Sequence, residues 1–391
     1  MENNVKIYAS IIEDKAREQI DNLSKVYNTE KIRIMSDVHA GAGCTIGTTI
    51  KIEDKITPNL VGVDIGCAML CVDLGTDDIG SLSEIDKVIK ENIPMGMKIN
   101  NKPNEYNIFL NTDVFKKNLL CNINFDRAFR SIGTLGSGNH FIEIDVDDEN
   151  RKYLVIHTGS RHLGVEICKH YQDIAINKCF NSLDKKQEII NQLKSEGREC
   201  DIEKELKKIK SPEFDKSLAY LQGDDMKNYL HDMKLVQEYA SANRQTIANT
   251  ILSKLNLKSY GQFETLHNYV DLNRMIIRKG AVSAEEGEIL LIPMNMRDGS
   301  LICIGKGNED WNYSAPHGAG RLMSRTQAKK EVDMGEFEKS MDGIYSTSIC
   351  EATKDESVFA YKPMETIVND IKDTVDIIKV IKPICNIKAT D

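Results

Sequence analysis

The amino-acid sequence predicts an α+β fold, a single compact mixed α-β unit with buried strands around a central cleft and a helical insertion. Strand-like and helix-like stretches come in blocks: strand signals precede residue 160 and return after 260, and Leu163 to about Leu255 reads as helix. No Gly-, Ser- or Pro-rich linker divides the chain, so residues 1–391 read as one unit with 165–256 as a mainly helical insertion. A chain of 391 residues can bury a sizeable core as one large mixed fold.

Taken in order, Val5–Ala9 reads as a short strand, Ile11 to about Tyr27 as a helix, and Ile32–Met35 as a strand ending in the polar run Ser36-Asp37-Val38-His39. A glycine-rich loop, 41–47, follows. Val61–Leu74 reads as a buried strand because its apolar run is nearly continuous, although it contains Asp64 and Cys67. Residues 79–129 alternate charged helix-like segments with Pro- and Asn-rich turns and offer no chemistry. A glycine-dense loop, 133–138, then delivers Asn139 and His140 to the start of a strand that continues Phe141-Ile142-Glu143. The next strand, Tyr153–Ile156, ends in His157-Thr158-Gly159-Ser160-Arg161.

In the helical part Val236, Ala240 and Ile247 recur at helical spacing. Residues 181–211 interleave Lys and Glu and read as a solvated helical hairpin, while His162, His170 and His231 read as structural or surface residues. Beyond His267-Asn268, the segments Met275–Lys279, Glu288–Pro293 and Leu301–Ile304 are separated by turn signals at Gly280, Gly287 and Gly299. They read as a small antiparallel meander carrying His317 at its end. Helix-like segments at 327–333 and 364–371 and a strand, Val380–Ile387, finish the chain.

Composition excludes several classes. Hydrophobic residues at 41% and charged residues at 28% are ordinary for a soluble globular protein. The longest apolar run, 60–74, is interrupted by Asp64 and Asp73, and no signal-peptide pattern opens the chain, so a cytoplasmic protein with no membrane partner is expected. The ten cysteines include no Cys-x-x-Cys pair and read mostly as reduced, buried small hydrophobes. A formal net charge of -9 argues against binding nucleic acid by bulk electrostatics; any such site must be local.

The chemistry concentrates in a few settings. His317 is followed by Gly318 and Gly320 and flanked by Arg321 and Arg325, an arrangement in which backbone N–H groups approach an anion and guanidinium groups clamp phosphate oxygens. His140, His157 and His267 with Asp64 and Cys67 supply three imidazoles, a carboxylate and a thiolate, a set that suits Zn, Mn, Co or Fe and holds two ions if the sulfur bridges them. The nearest approach to a phosphate-binding P-loop, 299–307, is one residue too long and has Gly where Ser or Thr should take magnesium. The stretch Lys339-Ser340-Met341-Asp342-Gly343 is likewise one residue too long for a lysine nucleotidyl-acceptor motif.

Asp64-Ile65-Gly66-Cys67, Gly138-Asn139-His140-Phe141-Ile142-Glu143, His157-Thr158-Gly159-Ser160-Arg161, His267-Asn268 and His317-Gly318-Ala319-Gly320-Arg321 with Ser324-Arg325 together resemble the signature blocks of the RtcB family of RNA-splicing ligases. The resemblance runs from Asp37-Val38-His39 to Ile387-Lys388. It implies a central metal and GTP cleft in a GTP- and manganese-dependent RNA ligase, using two Mn²⁺ ions, that joins an RNA 3′-phosphate or 2′,3′-cyclic phosphate end to a 5′-hydroxyl end. An archease-type activator enters as a candidate partner.

Carried over by position, the resemblance implies His317 as the histidine that takes GMP, and Asp64, Cys67, His140, His157 and His267 as metal ligands, with Cys67 the bridge. It places Asn139, His140, Phe141, Ile142, Glu143, His267, Asn268, Pro293, Met294, Asn295, Met296, Ser300, His317, Gly318, Ala319, Gly320 and Lys388 around GTP. Glu143 suits the guanine edge, because a carboxylate accepts from both N1–H and N2–H₂. The chain departs from the family where many members have Pro-Gly-Ser-Met-Gly: here the run is Pro293-Met294-Asn295-Met296-Arg297-Asp298-Gly299. Two other classes use the same ligands: a metal-dependent phosphodiesterase or cyclic-phosphate hydrolase, and a non-catalytic RNA-end-binding protein. Neither requires His317.

Overall fold

The computed structural model describes residues 4–180, 183–206 and 212–390. Two sheets organise them. One has seven strands in the order Ile289–Asn295, Gly299–Gly305, Val375–Ile387, Phe141–Val146, Lys152–Thr158, Ala68–Gly75, Gly261–Leu266, all antiparallel. It curls until its edge strands approach, with the Leu291 N–H donating to Thr265 Oγ1 at 3.1 Å. The other has five strands, Val5–Ile7, Ile32–His39, Ile46–Lys51, Ile276–Lys279 and Asn268–Asp271. Only the first pair in it is parallel.

Alternation along the strands builds two cores from one sheet. Leu70, Val72, Ile142, Ile144, Leu154 and Ile156 face one way and pack with Ile247, Ala248 and Ile251 of the long helix Gly223–Leu255. Met69, Cys71, Phe141, Tyr153 and Val155 face the inside of the curl, against Leu291, Ile302 and Ile381. A third apolar cluster joins the helices Asp14–Val26, Arg161–Phe180 and Gly223–Leu255 through Leu23, Ile167, Tyr171 and Tyr229.

The α+β class holds, and several element assignments need correction. The strand expected over Val61–Leu74 begins only at Ala68. Gly62 and Gly66 take positive φ, and residues 61–67 turn sharply, which lifts Asp64 and Cys67 out of the sheet's alternation. The strand expected to stop at Met35 continues to His39, so Asp37 and His39 lie on it. The expected meander does not form: Ile276–Lys279 belongs to the five-stranded sheet, whereas Ile289–Asn295 and Gly299–Gly305 make a hairpin in the seven-stranded one. Between them the chain passes through Ala281–Ser283, which pairs with Ser314–Pro316, and His317 follows that short strand. Turn residues mark where a strand stops and do not say which strand it pairs with, so local signals could not distinguish a meander from a change of sheet. Of the hairpin expected over 181–211, residues 181–182 and 207–211 lie outside the described residues; Leu183–Ser195 and Ile202–Leu206 are helical. Among the described residues no helix is long and apolar enough to cross a membrane.

Candidate active site

Four strand ends of the seven-stranded sheet meet at one rim. Cys67 immediately precedes Ala68, His140 precedes Phe141, His267 follows Leu266, and His157 is the penultimate residue of its strand. The register makes them neighbours: Ala68 pairs with both Thr158 and Leu266, and His157 pairs with both Met69 and Phe141. His267 is also where the chain leaves this sheet for the other, since Asn268 already pairs with Lys279. The Cys67 turn is tied to that crossing by two backbone bonds, Gly66 N–H to Asn268 O at 2.7 Å and His267 N–H to Cys67 O at 3.0 Å.

The donor atoms converge as two overlapping groups, Asp64–Cys67–His140 and Cys67–His157–His267, which share the Cys67 sulfur. Cys67 Sγ lies 3.6 Å from His140 Nε2 and 3.3 Å from His157 Nε2, which is 3.4 Å from His267 Nε2; His140 Nε2 is 2.9 Å from Asp64 Oδ2. Donors held about 2.1 Å from one ion at tetrahedral angles would sit roughly 3.4 Å apart, so the spacing fits cations at both groups. The ring orientations fit as well: His140 Nδ1 donates to Leu135 O at 2.9 Å and His157 Nδ1 to Asn139 O at 3.0 Å, which turns each Nε2 toward the donor cluster. Gly159 must be glycine, because a β-carbon there would overlap the Asp64 carboxylate.

Burial and neighbouring charges set the protonation of the donor groups. Burial pushes the Cys67 thiol well up, and the Asp64 charge adds to this. Burial holds His157 and His267 well below the ordinary imidazole range, with neighbouring histidine charges acting the same way. Burial raises the Asp64 carboxyl, but its bond to His140 and the charge on that ring outweigh it and leave the group well below the usual carboxylate range. A bound cation would favour the thiolate and the neutral imidazoles together.

These groups open into a cavity of about 630 Å³, within the size range of small-molecule sites. Asn139, Phe141, Glu143, Asn268, Pro293, Met294, Asn295, Met296, His317, Gly318, Ala319, Gly320 and Lys388 line it together with Asp64, Cys67, His157 and His267. His140 sits behind Cys67 and Asp64 and does not line it. Two other expected nucleotide contacts are also off the wall: Ile142 points into the apolar layer under the long helix, and Ser300 is fully buried with its Oγ unpartnered. Strand alternation sends Ile142 away from the cavity, whereas Ser300 shares the face of its partner Pro293 and is buried behind the wall.

His317 is held by Asp37, whose Oδ2 accepts from the ring Nδ1 at 2.5 Å and from the His317 backbone N–H at 3.0 Å. That bond commits the proton to Nδ1 and leaves the Nε2 lone pair free. Gly320, with φ 74, passes so close to Asp37 that a β-carbon would overlap its carbonyl. The ring of His317 lies 5.0 Å from that of His267, so the nucleophile candidate borders the metal-donor group.

At the other end of the cavity Glu143 faces Asn386 across the strand pair and accepts its side-chain N–H. Burial pushes the Glu143 carboxyl up to about 7, against the opposing effects of Asn386 and Lys388. Lys388 Nζ lies 3.0 Å from Glu356 Oε2 and 5.2 Å from the centre of the Phe141 ring. Burial raises the Glu356 carboxyl, but Lys388, Arg325 and Arg321 outweigh it and hold it below the ordinary value. Of the arginines read as phosphate clamps, Arg321 is already engaged by Met323 O, Asp355 O and Tyr361, whereas Arg325 is exposed and only 3.4 Å from Asp355. Arg161 does not line the cavity; it donates to Thr134 Oγ1 and Gly96 O.

The departing loop is closed on itself. Asn295 Oδ1 accepts from the N–H groups of Arg297 and Asp298, and Asn295 Nδ2 donates to Asp298 at 2.8 Å, so this side chain shapes the turn. Met294 and Met296 are buried, and both line the cavity.

Sequence reading missed the groups that act at long range. Asp37 and Glu356 are 280 and 39 residues from His317 along the chain, and neither sits in a motif that names its partner. Asn243 and Arg244 come from the middle of the long helix, where polar residues usually face solvent. Here Arg244 is fully buried, donating to Gly66 O at 2.8 Å and Thr158 O at 2.7 Å, and Asn243 donates to Thr134 O and Gly159 O. They pin the backbone of the Cys67 turn and of the strand end that carries His157.

The family model described as tRNA-splicing ligase RtcB matches residues 19–120 and 101–389. The RNA-splicing ligase RtcB of Escherichia coli K12 is 30% identical over 420 residues, covering 97% of this chain and 95% of that protein. The tRNA-splicing ligase RtcB of Aeropyrum pernix is 25% identical, over 91% of this chain and 87% of that protein. RNA-splicing ligase RtcB2 of Escherichia coli ATCC 25922 is 26% identical over the same shares. With a family model spanning almost the whole chain and a relative at 30% identity aligned end to end, this chain belongs to the RtcB family.

Proposed function

We propose that the protein is an RNA ligase that joins a 3′-phosphate or 2′,3′-cyclic phosphate end to a 5′-hydroxyl end, using GTP and two divalent cations, manganese by the family resemblance. The observation that carries the reading is His317: Asp37 holds its Nδ1, its Nε2 is free, and it borders a cavity that also contains the thiolate-sharing donor set. Neither a hydrolase nor an end-binding protein requires His317. In the ligase, Nε2 attacks the α-phosphorus of GTP, pyrophosphate leaves, and the resulting phosphoramidate passes GMP to the RNA 3′-phosphate. Asp64, Cys67, His140, His157 and His267 would hold the cations, which neutralise the phosphate charge. Phe141 and the Gly318–Gly320 backbone would hold the nucleotide, and an archease-type protein is a candidate activator. The test is a sealing reaction with Mn²⁺ and GTP on a 5′-hydroxyl RNA paired with either a 3′-phosphate or a 2′,3′-cyclic phosphate RNA. A new phosphodiester that depends on GTP is the expected product; no joining from either end, with the cyclic phosphate only opened to a monoester, would sink the proposal.

Glu143 supplies two further tests. As the reader of the guanine edge it must be ionised to accept both N–H groups. Its carboxyl ionises only at about 7, so GTP affinity should rise as pH climbs through that value and level off above it. The slope should be absent in Glu143→Gln. The same variant should lose GTP affinity by about 1.5–3 kcal/mol, roughly 10- to 150-fold, and should discriminate less against ATP. An unchanged GTP-to-ATP ratio would remove Glu143 from this role.

A further inference from the structure

The run Ser36-Asp37-Val38-His39 contributes one more group to the cavity, and the ligase reading leaves it without a task. His39 ends the strand Ile32–His39 and lines the cavity. Its ring Nδ1 meets the Asp37 carbonyl at 2.9 Å, its only hydrogen bond to the described residues. Asp37 therefore holds two imidazoles by Nδ1, His39 through its carbonyl and His317 through its carboxylate, and each presents Nε2 as the remaining nitrogen. We propose that His39 is a further catalytic residue, the base that takes the proton of the 5′-hydroxyl as it attacks the activated RNA 3′-phosphate. The inference rests on the ligase reading above.

Elimination supports the assignment. The metal donors are committed, His317 carries the nucleotide, Glu143 faces the base and Glu356 is ion-paired with Lys388. That leaves Glu13 and His39 as proton acceptors, and Glu13 is an exposed residue at the mouth whose Oε1 accepts the Ala40 N–H at 2.6 Å. Burial holds the His39 imidazole down to about 4, against the raising effect of its bond to the Asp37 carbonyl, so its ring is neutral at pH 7 and Nε2 carries a lone pair. In the sealing step the 5′-oxygen bonds to the 3′-phosphorus, the bond from that phosphorus to the GMP oxygen breaks with its electron pair leaving on GMP, and the hydroxyl proton moves to Nε2 of His39. Solvent then takes the proton. The two rings thus serve separate steps, His317 the nucleotide and His39 the incoming hydroxyl.

The full chain, with His39→Ala and His39→Gln variants, tests this with Mn²⁺, α-labelled GTP and RNA ends. Adduct formation should stay within about threefold of the unsubstituted protein in both variants, while sealing from preformed adduct should fall on the order of 10²–10⁴-fold and GMP-capped RNA 3′ ends should accumulate. Added imidazole should restore sealing in His39→Ala by about tenfold or more and have no effect on the unsubstituted protein or His39→Gln. Parallel loss of adduct and sealing, unchanged sealing, or failure of imidazole to rescue would each overturn the role of His39. Failure of the unsubstituted protein to seal would overturn the ligase reading, and this proposal with it.

Discussion

Replacing His317 with Ala is expected to abolish the covalent nucleotide and with it all GTP-dependent sealing. The unsubstituted protein, incubated with Mn²⁺ and α-labelled GTP, should retain label that is acid-labile and base-stable, as a phosphoramidate to imidazole is. His317→Ala should retain none, and sealing should drop roughly 10⁴- to 10⁶-fold, the size of loss seen when a nucleophile or its partner is removed. The structure argues for this specific atom: the Asp37 carboxylate engages Nδ1, so the nitrogen left for attack is Nε2. No acceptor lysine motif offers an alternative carrier. Buried Met294 and Met296 with half-buried Asn295 replace the family's Gly-Ser loop in the cavity wall, so label should be followed over a range of GTP concentrations. Absence of label at every GTP and Mn²⁺ level, with metal bound, would promote the hydrolase or end-binding reading.

The second large effect is expected at Cys67. Its sulfur is the one donor common to both groups, so Cys67→Ala should lower occupancy at both, whereas Asp64→Ala should deplete mainly one. Even partners outside the donor set typically alter metal affinity about 10- to 100-fold, and loss of a shared donor should do at least as much at each site. Elemental analysis of metal per chain after dialysis decides it. Equal losses of one ion in both variants would show that the sulfur does not bridge. Asp64→Ala also removes the hydrogen-bond partner of His140, a donor of the same group, so its effect should stay with that group and leave Cys67–His157–His267 less affected than Cys67→Ala does.

Much of the site was legible because its chemistry is carried by short blocks. Each histidine stands beside glycines or at a strand end, and a strand end with small residues is where a side chain can leave the alternation of the sheet and meet others. The α+β class was legible for a similar reason, since it depends on periodicity and on the absence of linkers. The boundary errors share one cause. In 61–67 an apolar run broken only by Asp64 passes through a turn in which Val61, Ile65 and Cys67 are buried while Val63 is exposed, and hydrophobicity does not separate such a turn from a buried strand.

By itself the sequence pointed to the candidate donors, the candidate nucleophile and the family, since residue types and local spacing are written along the chain. Only the tertiary structure decided which candidate donors lie together, which carboxylate meets His317, and where the two sheets meet. Cys67 becomes the common donor because the register of four strands brings residues up to 200 positions apart to one rim. Asp37 reaches His317 across 280 residues because the strand Ile32–His39 runs past the Gly320 turn. Arg244, an interior residue of a helix, supports the metal-donor backbone only because that helix crosses the sheet at that rim. Such contacts depend on strand register and helix placement, which are set by burial summed over the whole fold, and no local pattern of residues encodes them.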